Sequence, residues 1–386
     1  MRYGEFVNKV KVICGAGSID SLPHELSRRG ARSVLLICDA AGGALGAIKS
    51  AFDKCDGIKI KAAYTGATDF ADNVLINELY DIYSLNQCDC IVVSGGSGIT
   101  NTAKLLRMML STGVRNIDSL IGMDYIHGIY SVPFIAVPSV LDVGVDATKI
   151  AVYSSGRRII QLVSDEATPD CCVIDPSAMK DVATKEMGLS CIGILSCAIS
   201  AYIGMQSGIL SDEFAFESVK IIADRAIEAL DGDEDAIGRV GEAAVMTGIA
   251  VSNSMVGFAA AIASSIASHS QVRPSEATAC VLANCLRLEA ERLGDKFSRL
   301  LYYAAGGEAY LSTDDKDRAD ECCNRIDSLI CDIAAKCGIA LKLGEIGVDA
   351  SAFPDIIDSA KVNGAILSCA RNISKADIAD ILDKSY

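Results

Sequence analysis

The chain has 386 residues, enough for two domains with separate cores, and half of it is hydrophobic, so it reads as folded throughout. Its formal charge of −15, with no clustered Lys and Arg, argues against a nucleic-acid or anionic-membrane partner. Sixteen cysteines behind an N-terminus with no apolar signal core (Met1-Arg2-Tyr3-Gly4-Glu5) point to free thiols in a reducing, cytoplasmic setting.

Taken in order, residues 5–20 read as an extended segment with a turn at Gly15-Ala16-Gly17. An amphipathic helix follows from about Ser18 and covers Leu22 to Arg29. The run Ser33 to Cys38 has the unbroken apolar character of a buried parallel strand and ends at Asp39. A carboxylate there suits ribose hydroxyls and repels a 2′-phosphate, which favours NAD over NADP. An aspartate opening the turn Ala40-Ala41-Gly42-Gly43 reads equally well. Helix Ala44–Lys54, strand Ile58–Tyr64, helix Asp72–Leu85 and strand Cys90–Ser94 continue the alternation. That order implies right-handed crossovers and a doubly wound, mostly parallel sheet.

At Gly95-Gly96-Ser97-Gly98 the pattern switches from strand to helix across three glycines. Such a hinge, at the carboxyl end of a strand, is expected to turn with positive φ and to offer helix N–H groups to a phosphate. Ser97, Thr100 and Thr102 would add hydroxyl donors. The helix is placed at Thr100–Ser111, a further buried strand at Ser131–Ser139, a hairpin at Lys149–Ser154 and Arg158–Val163, and a last strand at Cys171–Pro176. Beyond about Asp181 the strands cease and apolar residues recur at helical spacing. Examples are Val219–Leu230, Ala277–Leu293, Asp317–Cys337 and Ser374–Leu382. The uncharged stretches Met187–Ser211 and Ala243–Ser268 are long enough to span a membrane but, rich in Ala, Ser and Gly, read as buried helices. The expected organisation is an α/β nucleotide-binding domain over 1–180, an all-helical domain over 181–386, and a cleft between them.

These segments, taken together, resemble the iron-containing (group III) alcohol dehydrogenase family along essentially the whole chain. The family's G-G-G-S-x-x-D-x-A-K matches Gly95 to Lys104, its P-T-T-x-G-T-G-S-E matches Pro138 to Asp146, and its R-P-L-T-x-x-D-I matches Arg371 to Ile378. The resemblance implies NAD or NADP held on Gly95, Gly96, Ser97, Gly98 and Asn101, with Asp39 near the adenosine ribose and Ser139 near the adenine. It also implies hydride transfer to or from a small alcohol or aldehyde, and a dimer. Asn101 stands where the motif has Asp.

The family's metal is held by an aspartate and a histidine four residues apart on one helix and by two later histidines. In this chain those positions carry Gly193, Cys197, Ala260 and Ser275, and a further family histidine becomes Ser264. Only three histidines exist, His24, His127 and His269, so no shift of register restores the set, and neither Fe nor Zn is expected. A relocated soft site from Cys197, His269, Cys280 and Cys285 is the remaining route to a metal. Arg157-Arg158 reads as a solvated turn or a phosphate clamp.

Two function classes follow. One is a nicotinamide-dependent oxidoreductase working without metal, with Cys197, His269 or Tyr202 as proton donor. The other is a non-catalytic subunit that supports an active homologue as a heterodimer or senses nucleotide. A sugar-phosphate enzyme of the wider dehydroquinate-synthase-like group fits less well, for want of a basic cluster.

Overall fold

The computed structural model describes residues 5–39, 44–66, 68, 71–121, 131–155 and 158–386. It divides into two compact units, one of residues 8–182, the other of 183–386 together with the chain's first residues.

The first unit carries strands β1 (Lys11–Cys14), β2 (Ser33–Cys38), β3 (Lys59–Thr65), β4 (Cys90–Ser94), β5 (Phe134–Ala136), the hairpin β6 (Ile150–Ser155) and β7 (Arg158–Val163), and β8 (Cys171–Ile174). Its helices are α1 (Leu22–Ser27), α2 (Ala44–Asp53), α3 (Asn73–Leu85), α4 (Ser97–Thr112) and α5 (Pro176–Met179). Six strands form a parallel sheet in the order β1-β8-β5-β4-β2-β3, and β6 and β7 pair antiparallel beside it in sequence as a separate ribbon.

Strand alternation divides the core into two layers. Leu35, Ile37, Ile91, Val93 and Phe134 face Ile76, Leu79, Ala103 and Leu106 of α3 and α4. The intervening Val34, Leu36, Val92, Ile135 and Val173 face Leu22, Leu26, Ile48 and Phe52 of α1 and α2. Both faces of β2 and β4 are therefore dry, and each fully buried Leu or Ile there contributes about 1.5–3 kcal/mol. Strand β5 is shorter than the run Ser131–Ser139 suggests. Pro133 and Pro138 have no N–H to donate, and the ladder runs only from the Pro133 carbonyl to the Val137 N–H.

The second unit is all helical: α6 (Thr184–Ile203), α7 (Ile209–Leu230), α8 (Glu234–Ser254), α9 (Phe258–His269), α10 (Pro274–Ser312, kinked at Leu293 and Gly306), α11 (Arg318–Cys337), α12 (Phe353–Lys361) and α13 (Lys375–Ser385). Residues 5–7 belong to it. The Asn253 amide receives the Val7 N–H at 2.8 Å and donates to the Val7 carbonyl, and Phe6 stacks on Phe214. The two uncharged stretches are each interrupted. One breaks at Gly204–Gly208; the other bends by 97° between α8 and α9, where Met255 has φ +67. Helix α6 is long and apolar enough to cross a membrane, yet 94% of its apolar window is buried.

At the C-terminus, Ser374 and Asp377 cap α13 reciprocally, and Arg371 pairs with Asp377 at 2.7 Å while donating to the Leu288 carbonyl of α10. The residue after Leu288 is Glu289, buried in α10. Burial pushes its carboxyl up to about 8, against the opposing pull of Arg371.

Since Glu289 keeps its proton in the folded chain and loses it near the ordinary glutamate value of 4.5 in the unfolded one, stability falls as pH rises from about 4.5 to about 8. Glu289→Gln is expected to flatten that slope and to be more stable than the parent at pH 8, measured by urea midpoints across the range.

Candidate functional site

Strand β2 lies between β3, reached through α2, and β4, reached by crossing back over it, so the sheet reverses its winding at the β2/β4 boundary. Ligand sites of open α/β sheets form beyond the strand ends at such a reversal. Here Cys38 pairs with Ser94, and the Asp39 N–H donates to the Ser94 carbonyl at 2.9 Å, drawing the two strand ends together. Asp39 and Gly95, far apart in sequence, become neighbours: a Cβ built on Gly95 would lie 3.4 Å from the Asp39 Cβ and 3.1 Å from Ile99.

The expected positive φ is not found at any of the three hinge glycines. Gly96 instead takes an extended conformation (φ −82, ψ −173), which leads directly into α4. What Gly95 supplies is room, because any side chain there would meet the first turn of α4. Gly96 is more open, since an added Cβ would meet only Val140, at 3.7 Å.

Helix α4 begins at Ser97, three residues earlier than the sequence suggests, and Gly96 gives it no side-chain cap. Its first hydrogen bond runs from the Thr100 N–H to the Gly96 carbonyl. The N–H groups ahead of Thr100 therefore have no partner within the helix, and they stand at its positive end. Ser97 is half-buried beside them, and the Ser139 hydroxyl is buried with no hydrogen-bond partner among the described residues. An uncapped helix start, an open Gly96, an unsatisfied hydroxyl and a carboxylate on the next strand suit a diphosphate joined to a ribose.

Four other polar residues of the motif point elsewhere. The Thr100 hydroxyl donates to Asp146 at 3.1 Å, and the Thr102 hydroxyl to the Gly98 carbonyl at 2.8 Å, so neither adds to the anion site as expected. The Asn101 carbonyl oxygen accepts the Val152 N–H at 3.0 Å. Lys104, wholly enclosed, donates to the Thr148 carbonyl, the Thr148 hydroxyl and the Ile150 carbonyl at 2.8–2.9 Å. Burial lowers the Lys104 ammonium and raises the Asp146 carboxyl from their ordinary values, while each charge counteracts the shift of the other. This network was not foreseen; its only signal is that Lys104 and Asp146 are the last residues of the two matched motifs.

In the helical unit, Gly193 and Cys197 lie one turn apart on α6, both buried. Ala260 and Ser264 lie on α9 and Ser275 on the first turn of α10, and these three helices pack on one another. Ser264 accepts a hydrogen bond from the Asn363 amide at 2.9 Å. Gly193 and Ala260 have no side-chain donor atom, and among the described residues no three of His, Cys, Asp and Glu stand close enough to hold an ion. The donor set at the four positions does not fit a divalent metal. The pairing of Cys197, His269, Cys280 and Cys285 is likewise not assembled.

The three proton-donor candidates are separated. Cys197 is buried, and Tyr202, five residues on, lies about 140° round the helix. The Tyr202 ring packs on Phe216 at 4.5 Å with Lys296 over its face, and burial pushes its hydroxyl up to about 12. His269 is exposed at the end of α9. His127 and Arg157 lie outside the described residues.

Comparison with known proteins gives the family and the fold. The model of iron-containing alcohol dehydrogenases matches residues 9–176, and that of the C-terminal domain of Fe-containing alcohol dehydrogenases matches 189–386. The chain is 26% identical to an NAD-dependent methanol dehydrogenase of Bacillus methanolicus over 66% of its length and 67% of that protein's. It is 22% identical to a 1,3-propanediol dehydrogenase of Citrobacter freundii over 96% of both. The solved alcohol dehydrogenase from Oenococcus oeni superposes with a TM-score of 0.92 over 100% of both chains at 20% identity.

The two leading hinge glycines are expected to respond differently to a methyl group. Gly95→Ala, forced against Ile99, should lose about 1–3 kcal/mol, whereas Gly96→Ala should lose under about 1 kcal/mol, the difference of a helix cap; thermal denaturation distinguishes the two.

Proposed function

The chain belongs to the iron-containing alcohol dehydrogenase family, and on that footing we propose that it is a nicotinamide-dependent alcohol or aldehyde oxidoreductase that works without the family's divalent metal. The observation that carries this reading is the contrast between its two halves. The hinge retains an open Gly96, an uncapped α4 and Asp39 beside Gly95, whereas Gly193 and Ala260 stand where side-chain ligands would be needed.

In this reading the N–H groups at the start of α4, with Ser97 beside them, hold the pyrophosphate, Asp39 the adenosine ribose, and Ser139 the adenine side. Asp39 excludes a 2′-phosphate by like-charge repulsion, so NAD is preferred over NADP. Asn101, whose amide oxygen is engaged by Val152, contributes by holding the second turn of α4 in place. When bound, the nicotinamide supplies the hydride acceptor or donor.

Without a metal, the substrate oxygen needs a proton source of its own during aldehyde reduction. Cys197 is the candidate at a family ligand position, while Tyr202 is held in an aromatic core and His269 lies at the end of its helix. A metal ordinarily contributes several kcal/mol to stabilising an alkoxide, so turnover is expected to be slow. The substrate is a small alcohol or aldehyde, the setting cytoplasmic, and the assembly a homodimer.

A second reading is favoured by the fate of the ligand positions, where Ser264 now makes a hydrogen bond to Asn363 and no replacement donor set is gathered. In it the chain binds dinucleotide without turnover, as a sensor or as the partner of an active homologue.

Protein purified without chelator is expected to bind NADH in a fluorescence titration while elemental analysis finds well under one iron or zinc per chain. Slow NADH-dependent reduction of short aldehydes, lost in Cys197→Ser, supports the first reading; NADH binding with no turnover across such a panel supports the second. One tightly held metal per chain overturns both. Gly96→Ala should abolish NADH binding while leaving the protein folded.

A further inference from the structure

Lys104 has no role in the chemistry proposed above, yet it is wholly buried. Moving an ammonium out of water is costly, and an apolar side chain of similar volume would often serve stability better. Its three N–H groups all donate to protein acceptors, namely the Thr148 carbonyl, the Thr148 hydroxyl and the Ile150 carbonyl. With no donor left over, it has no hydrogen bond to offer a ligand.

All of these acceptors lie in one short segment. Thr100, one turn before Lys104, donates to Asp146 in the same segment, and Asn101 accepts from Val152 just beyond it. The first two turns of α4 thus grip residues 146–152 at successive points. The chain leading into that grip, from Pro138 to Val145, carries Ser139 with its unsatisfied hydroxyl. It also carries Val140, which approaches the open side of Gly96.

We propose that Lys104 and Asp146 are positioning residues for the dinucleotide site. Together they hold the segment running from Ser139 to Thr148 against α4, so that Ser139 and Val140 wall the glycine hinge. The pair acts through that wall and touches no ligand. Neutral acceptors fix the ammonium, the carboxylate fixes Thr100, and the opposite charges oppose each other's desolvation. The inference rests on the assignment of the hinge to a dinucleotide, and it makes affinity depend on two residues that never meet one.

The test uses the full chain and NADH as probe, with circular dichroism as the check on folding. The doubly neutral variant Lys104→Met/Asp146→Asn removes both charges without leaving either alone. It should stay folded and bind NADH about tenfold more weakly, and adding Ser139→Ala to it should change little, although Ser139→Ala alone weakens the parent severalfold. That non-additivity is what a merely structural loss would not produce. Asp146→Glu, which restores the family's residue, should bind within about twofold of the parent. If the doubly neutral variant does not fold, Thr100→Val removes the bond to Asp146 and Thr148→Val the hydroxyl that receives Lys104, and each should weaken NADH binding about threefold. Parent-like affinity in the folded variants, or effects that simply add, overturns the proposal while leaving the oxidoreductase reading intact. Failure of the parent itself to bind NADH overturns both.

Discussion

Much of the sheet unit depends on one constraint: helix α4 is enclosed from Gly98 to Ser111, and so its polar side chains must turn to the protein for partners, which all but Ser111 find among the described residues. Thr100, Asn101 and Lys104 find theirs in the segment 146–152. Arg107 finds its own in the carbonyls of Val132 and Thr168, the Ser131 hydroxyl and the Asp170 carboxylate. The first set ties down the segment 146–152, and the Arg107 set ties down the stretches that lead into β5 and β8 at the opposite, amino edge of the sheet. The helix behind the uncapped start of α4 cannot shift without stranding a buried charge.

Sequence patterns made the parallel sheet legible because a central strand leaves an unbroken apolar signature, as in Val34–Cys38 and Cys90–Val93; the order of its strands was not. Asp39 and the hinge could be paired as one site for the same reason, since both end such strands. The conformation of the hinge was not legible. A glycine needed for space, as at Gly95, looks the same in sequence as one needed for a left-handed turn, and only the approach of Ile99 decides between them. The Lys104 network was hidden because its partners lie some forty residues away and a lysine within an amphipathic pattern reads as solvated. Sequence also gave no warning of the bend between α8 and α9. Its residues are apolar throughout, and the left-handed position is occupied by Met255 rather than by glycine.

On the reading proposed above, the helical unit changes its chemistry while its framework stays in place. Gly193 and Cys197 lie one turn apart on α6, and α9 and α10 pack against α6, so that reading has a scaffold without the atoms to hold an ion. Ser264 now ties α9 to the turn around Asn363, a neutral hydrogen bond between two segments of the same unit. The replacements are small or neutral, which lets the helices remain close without an uncompensated charge between them.

The enclosure of Lys104 also bears on the order in which the chain assembles. During synthesis α4 emerges well before Thr148 and Ile150 exist, and until they dock, the ammonium has water as its only adequate partner. A nascent β2-β3-β4 layer can therefore gather early, but α4 cannot be sealed onto it until the β6 segment arrives. Arg107 of the same helix waits longer still, for Thr168 and Asp170, so α4 is closed in only as two cations leave water in turn.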